Sequence, residues 1–115
     1  MIDVSIVVPV FNSAENIEEL VRQIDDALSA TPHETILVND GSRDRSWEEI
    51  SRATLRSPST MGIDLRKNSG QDNAIMAGLR MARGTFVVIM DDDLQHSPYD
   101  ILQLRSACES PEADV

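Results

Sequence analysis

A chain of 115 residues, 41% hydrophobic and 26% charged, has enough material for one buried core and not for two. Its formal net charge of −10 excludes a broad electrostatic attraction to nucleic acid or anionic lipid. The single cysteine, Cys108, excludes an internal disulfide, no signal peptide is evident, and no apolar run approaches membrane-spanning length.

Strand and helix signals alternate along the whole chain. Val4 to Val10 is continuously apolar and β-branched, which predicts a strand buried on both faces, with Pro9 confining or ending it. Ser13 is placed to cap a helix whose Ile17, Leu20, Val21, Ile24, Ala27 and Leu28 share one face. Thr31-Pro32 breaks that helix, and His33 reads as a solvated loop residue. Ile36 to Val38 is a second strand, and Asn39-Asp40-Gly41-Ser42 is a turn by composition. A second helix is expected from Asp44 to Arg56, with Trp47, Ile50 and Thr54 turned inward.

Met61 to Leu65 predicts a weaker strand near a sheet edge, followed by the polar loop 66–70. A third helix is expected over Gln71 to Arg83, with Gly84 as its terminator. Gly70, Ala74 and Gly78 recur every four residues, so one helix face is small enough to pack closely on a sheet. Phe86 to Met90 predicts a buried fourth strand, and Ser97-Pro98-Tyr99-Asp100 carries a strong start signal for a fourth helix. Cys108 falls on the apolar side of that helix as a buried thiol. Ala113-Asp114-Val115 resembles the entry to a fifth strand, which implies an N-terminal portion of something longer.

This βα order implies a three-layer α/β/α fold with a mainly parallel sheet. Ligands in such sheets bind outside the carboxyl ends of the strands. The polar segments obey that rule: Phe11-Asn12-Ser13, Asp40-Gly41-Ser42, Lys67-Asn68 and Asp91 to Gln95 each follow a strand. The last is the most informative, because an apolar strand ends abruptly at Asp91-Asp92-Asp93. Unit charges about 4 Å apart repel by about 4 kcal/mol at an effective dielectric near 20. A bound divalent cation removes that penalty, and hard oxygen ligands suit Mg2+ or Mn2+. Neither a Gly-x-Gly-x-x-Gly nor a Gly-Lys-Ser/Thr phosphate loop is present, and neither His33 nor His96 pairs with a nucleophile in a recognisable triad.

Val7-Val8-Pro9-Val10-Phe11-Asn12, Val38-Asn39-Asp40-Gly41-Ser42, Lys67-Asn68-Ser69-Gly70-Gln71 and Asp91-Asp92-Asp93-Leu94-Gln95-His96-Ser97-Pro98 carry a joint resemblance. In order and spacing they resemble the family-two inverting glycosyltransferases of the GT-A (nucleotide-diphospho-sugar transferase, Rossmann-like) fold. The Gly70 to Gly78 and Asp-Leu-Gln-His segments are most similar to the polyprenyl-phosphate branch, which includes dolichol-phosphate mannose synthases and undecaprenyl-phosphate sugar transferases. The resemblance implies a UDP- or GDP-linked sugar donor, Mg2+ or Mn2+, and a polyprenyl phosphate acceptor. It puts Pro9, Phe11, Asn12 and Asp40 at the nucleoside, with Asp40 on the base. Lys67, Gly70 and Gln71 would border the donor pocket, with Asp91 and Asp92 on the donor side of the acidic loop. Asp91, Asp93 and Gln95 would be the metal ligands.

Four positions depart from the family pattern. Ser13 stands where many members have an acid, Lys67 where arginine is commoner, Ser69 where an aromatic is frequent, and Asp92 where a small residue is common. The resemblance also puts the catalytic base and the acceptor-binding part beyond Val115. Residues 1–115 would then be the nucleotide-sugar-binding half, inactive alone, of a cytoplasmic parent that works at the cytoplasmic face of a membrane. The competing readings are a non-catalytic nucleotide- or metal-binding α/β module and a phospho-acceptor signalling domain. The signalling domain would need its acidic pair after the first strand, where this chain has Phe11-Asn12.

Overall fold

The computed structural model describes residues 1–109. Four parallel strands form one sheet: β1 (Val4–Val10), β2 (His33–Asn39), β3 (Thr60–Asp64) and β4 (Phe86–Ile89), in the order β3-β2-β1-β4. Three helices, α1 (Ala14–Ala27), α2 (Ser46–Arg56) and α4 (Ile101–Glu109), contribute to the core on one face. α3 (Gln71–Met81) covers the other. The three-layer parallel arrangement expected from the βα alternation is therefore the one observed. Among the described residues, no helix is long and apolar enough to cross a membrane.

β1 is central and every one of its residues is buried. Its alternation divides the core: Val4, Ile6, Val8 and Val10 meet α1 and α2, while Val7 joins Ile36, Val38 and Ala74 beneath α3. Pro9 survives in this central strand because pairing with β4 stops at Val7↔Ile89. The Val7 carbonyl accepts from Met90 on the β4 side and the Val10 carbonyl accepts from Asp40 on the β2 side. Residue 9 therefore faces the β4 side, past the last pair, where a missing N–H breaks no ladder bond. α1 buries Ile17, Leu20, Val21 and Ile24 on one stripe, each contributing about 2 kcal/mol by removal from water. Gly78 lets α3 sit down on the sheet, since a Cβ there would lie 2.4 Å from Val7 Cγ1.

Several expectations need correction. β4 is an edge strand and is not buried: Val87 is 43% and Ile89 49% exposed. α3 packs over β1 and β2 and leaves that face of β4 bare, whereas Val88 and Met90 point into the core on the other face. His33 is no loop residue. It opens β2, and its ring bonds the Thr31 carbonyl and an Asp25 carboxylate oxygen, each at 2.9 Å. α2 begins at Ser46, two residues later than expected; Ile50 and Ala53 are buried while Trp47 and Thr54 are only partly covered.

α3 ends at Met81 and Ala82 leaves it in an extended conformation, so Gly84 does not terminate the helix. Gly84 is needed for close approach to β1: a Cβ would lie 2.7 Å from Ser5 N and Oγ. The fourth helix starts as expected, with a 3-10 turn at Pro98–Asp100 and the Ser97 hydroxyl accepting the Tyr99 N–H. The Cys108 side chain, expected to be buried, is not among the described side chains, and the strand expected at Ala113-Asp114-Val115 falls outside the described residues.

Candidate functional site

Each strand of the sheet delivers one loop to the carboxyl rim, and these loops are stitched to one another. After β1 the chain turns at Asn12, which takes a left-handed φ of 52°. That turn is held by its partners in the β2–α2 loop: the Asn12 N–H donates to Ser42 Oγ at 3.0 Å, and Asn12 Oδ1 accepts the Arg43 N–H at 2.8 Å. Asn tolerates this conformation better than most residues. Ser13 sits at the start of α1, but its side chain does not cap the helix. The cap comes from across the rim, where Asp44 Oδ2 accepts the Ala14 N–H while Oδ1 accepts the Ser46 N–H and hydroxyl. Desolvation pushes the Asp44 carboxyl upward, yet these donors outweigh it and hold the group below its ordinary range.

Asp40 follows β2 directly and is only 4% exposed. Its N–H donates to the Val10 carbonyl, and its Oδ1 accepts the Ser69 N–H at 2.7 Å, so it ties the first and third loops together. Gly41 next to it has φ +66°, and a Cβ there would lie 2.1 Å from Asn68 N. The second and third loops touch backbone to backbone, and only glycine permits it. Gly70 precedes α3 with φ +95° and open space around it, so it is required by backbone conformation and not by crowding. The first-turn amides of α3 begin at Gln71, on the cleft wall.

The acidic loop is anchored at both ends. The Met90 N–H donates to the Val7 carbonyl at 3.0 Å, which extends the β1–β4 alignment to the edge of the triplet. Asp93 Oδ1 accepts the Gln95 N–H at 3.0 Å, a local turn around Leu94. Leu94 has φ +62°, uncommon for a bulky side chain, and its side chain packs against the core below the loop. Asp92 is the member of the triplet bonded to neighbouring segments. Its Oδ2 accepts the Ser13 hydroxyl at 2.6 Å and the Phe11 N–H at 3.0 Å, and its carbonyl accepts Asn16 Nδ2 at 3.1 Å.

A cleft of about 300 Å3 opens at this rim, lined by Pro9, Val10, Phe11, Asp40, Gln71, Asp91, Asp92 and Asp93. The structure thus brings together Pro9, Phe11, Asp40, Gln71 and all three aspartates. Asn12, Lys67, Gly70 and Gln95 lie around the cleft without lining it; Lys67 and Gln95 are exposed, and Asn12 is committed to the β2–α2 loop. Among the described residues, no three His, Cys, Asp or Glu side chains converge closely enough to enclose a metal ion. A cation of the Mg2+ type needs only one or two carboxylates from protein and fills its shell from water and phosphate oxygens. Asp91 and Asp93, hard oxygen donors on an open cleft, fit that role, whereas a structural zinc site would not. Sequence reasoning missed Ser13 and Asn16 as partners of the acidic loop, and Asp44 as a cap for two helices. The bonds from Ser13 and Asn16 to Asp92 and from Ala14 to Asp44 join residues far apart in the chain, and no local pattern announces them.

Residues 5–115 match the profile of the family "Glycosyl transferase family 2". The chain is 37% identical over 107 residues to a dolichol-phosphate mannosyltransferase of Pyrococcus furiosus, covering 93% of this chain and 30% of that protein. It is 41% identical over 109 residues to an undecaprenyl-phosphate 4-deoxy-4-formamido-L-arabinose transferase of Pseudomonas savastanoi, covering 92% and 32%. Its fold superposes with a TM-score of 0.78 and 26% identity on a mannosyltransferase of Pyrobaculum calidifontis solved with GDP-Man and Mn2+, covering 94% of this chain and 32% of that one. TarS of S. aureus, solved with UDP-GlcNAc, matches with a TM-score of 0.75 and 25% identity over 92% and 30%. The chain spans about a third of the length of these relatives. With its four rim motifs in order on a parallel α/β/α sheet, the chain belongs to glycosyl transferase family 2 and has the GT-A fold.

Proposed function

We propose that this chain is the donor side of a sugar transferase: its rim cleft binds a nucleoside diphosphate sugar together with Mg2+ or Mn2+, and the acceptor is a polyprenyl phosphate. One observation carries the reading. Pro9, Phe11, Asp40, Gln71, Asp91 and Asp93 come from four different strand ends and line one cleft. The relatives named for polyprenyl-phosphate chemistry and the neighbours solved with GDP-Man and Mn2+ or with UDP-GlcNAc support the ligand classes.

In this reading Asp40 accepts a hydrogen bond from the nucleobase, from a position that its bond to Ser69 N–H already fixes. Phe11, 46% exposed, offers an aromatic wall beside the base. The first-turn amides of α3, at Gln71, face the anionic part of the donor, where a helix start favours negative charge. Asp91 and Asp93 hold the cation by their carboxylates, with Gln95 and Asn12 bordering them and Lys67 offering a positive charge at the mouth. The bound cation supplies Lewis-acid stabilisation of the diphosphate leaving group. In this reading residues 1–115 form the nucleotide-sugar-binding half of the domain, and the base that activates the acceptor and the acceptor contacts correspond to the part of the relatives that this chain does not cover. The parent then works at the cytoplasmic face of the membrane that holds its lipid acceptor.

Calorimetric titration of the chain with GDP and with UDP, each in Mn2+ and in EDTA, tests this reading. Binding of one nucleotide in Mn2+, lost in EDTA and weakened at least tenfold in D93A, is the expected result, since removing one of two protein ligands costs more than about 1.4 kcal/mol. Equal binding in EDTA, or native affinity in D93A, would contradict it.

A further inference from the structure

Three adjacent carboxylates on one loop repel one another, and all three line the cleft, but one of them, Asp92, has an oxygen already bonded to neighbouring groups. Asp92 is turned back toward β1 and α1, where its Oδ2 takes both the Ser13 hydroxyl at 2.6 Å and the Phe11 N–H at 3.0 Å. The same residue is held a second time through its carbonyl, by Asn16 Nδ2 at 3.1 Å. The Ser13 N–H is itself fixed by Ser46 Oγ at 2.9 Å, so the socket is rigid from the α2 side.

We infer that Asp92 is a positioning residue: with Ser13 it latches the acidic loop onto the β1–α1 loop and so sets Asp91 and Asp93 at the cleft, without its own carboxylate binding the cation. A charge-assisted bond from a hydroxyl and one from a backbone amide hold the loop more firmly than neutral bonds would. Phe11, whose amide is one arm of the latch, is also a cleft wall, so the latch fixes both sides of the cleft at once. For its binding readout the inference rests on the donor-site reading above.

Both latch bonds end on one oxygen, which makes the test specific. Asparagine can present an oxygen at the Oδ2 position and keep both bonds while losing the charge. Mn2+-dependent GDP and UDP affinity is measured by calorimetry for the native chain, S13A, D92A, D92N and the double variant S13A/D92A. S13A and D92A should each weaken binding by about tenfold, D92N should recover most of the loss, and the double variant should be no worse than D92A. A D92N as weak as D92A beside a native-like S13A would make Asp92 a direct ligand and overturn the inference. Amide hydrogen exchange of Phe11 is read on the same proteins without ligand. It should be protected in the native chain and D92N and unprotected in D92A; an unchanged Phe11 amide in D92A would overturn the latch. If the native chain binds neither nucleotide, the donor reading fails by itself, and the exchange result alone decides the latch.

Discussion

Asp44 holds two helices from one short side chain. One oxygen satisfies the first free amide of α1 and the other satisfies the start of α2. A lost cap costs about 1 kcal/mol, so D44A should cost about 2 kcal/mol in urea unfolding. D44N, with a single acceptor oxygen, should lose about half of that, and an unchanged midpoint in D44A would refute the double cap. Nothing local in Arg43-Asp44-Arg45 marks this role, because the α1 half of it comes from a residue 30 positions away. His33 was illegible for the same reason: its partner Asp25 lies in the preceding helix. The acidic triplet stands out in the sequence, where its three members look equal. The structure separates them: all three line the cleft, but only Asp92 among them takes donors from the β1–α1 loop. Gly41 and Gly70 carry motif positions that the sequence marks, while the reasons for them, backbone contact in one and φ alone in the other, required coordinates.

At the scale of elements, Glu34 is a buried charge that joins strands to connections at the end of the sheet opposite the cleft. It is 3% exposed and accepts the Ser5 hydroxyl and the Arg83 N–H, each at 2.6 Å, with the Arg83 guanidinium at 3.3 Å. Burial raises the Glu34 carboxyl, but the bonds from Ser5 and Arg83 outweigh it and leave the group below its ordinary value. A group lowered in the folded state contributes stability above the ordinary glutamate range and loses it as pH falls through the lowered value. E34Q should therefore cost about 2 kcal/mol at neutral pH, and its gap to the native chain should close in acid. A gap that stays constant with pH would show that the charge contributes nothing. Among the described residues the type of each strand and of each helix α1 to α4 was readable, from apolar runs as in β1, from a clean stripe as in α1, and from the start signal at Ser97-Pro98 for α4. The burial of β4 was misread because four apolar residues in a row look alike whether one face or two are covered. Only the position of α3 over β1 and β2 decides it.

At the scale of the molecule, alternation of strands and helices made the parallel sheet and its carboxyl rim predictable, but it does not say which strands are neighbours. The order β3-β2-β1-β4 puts the acidic loop beside the β1–α1 loop and Asp40 beside the β3–α3 loop. That adjacency turns four separate motifs into one cleft. The net charge of −10 makes the chain repel a nucleoside diphosphate in the absence of a cation, so metal and nucleotide should bind as a pair. Thermal unfolding with Mn2+ alone, with GDP or UDP alone, and with each pair tests this most directly. Ligand at about a hundred times its dissociation constant adds about 2.7 kcal/mol, a midpoint rise of several degrees in a domain of this size. The donor-site account predicts that rise for one nucleotide with Mn2+ and little for any ligand alone. A full rise with Mn2+ alone, or none with either pair, would contradict it.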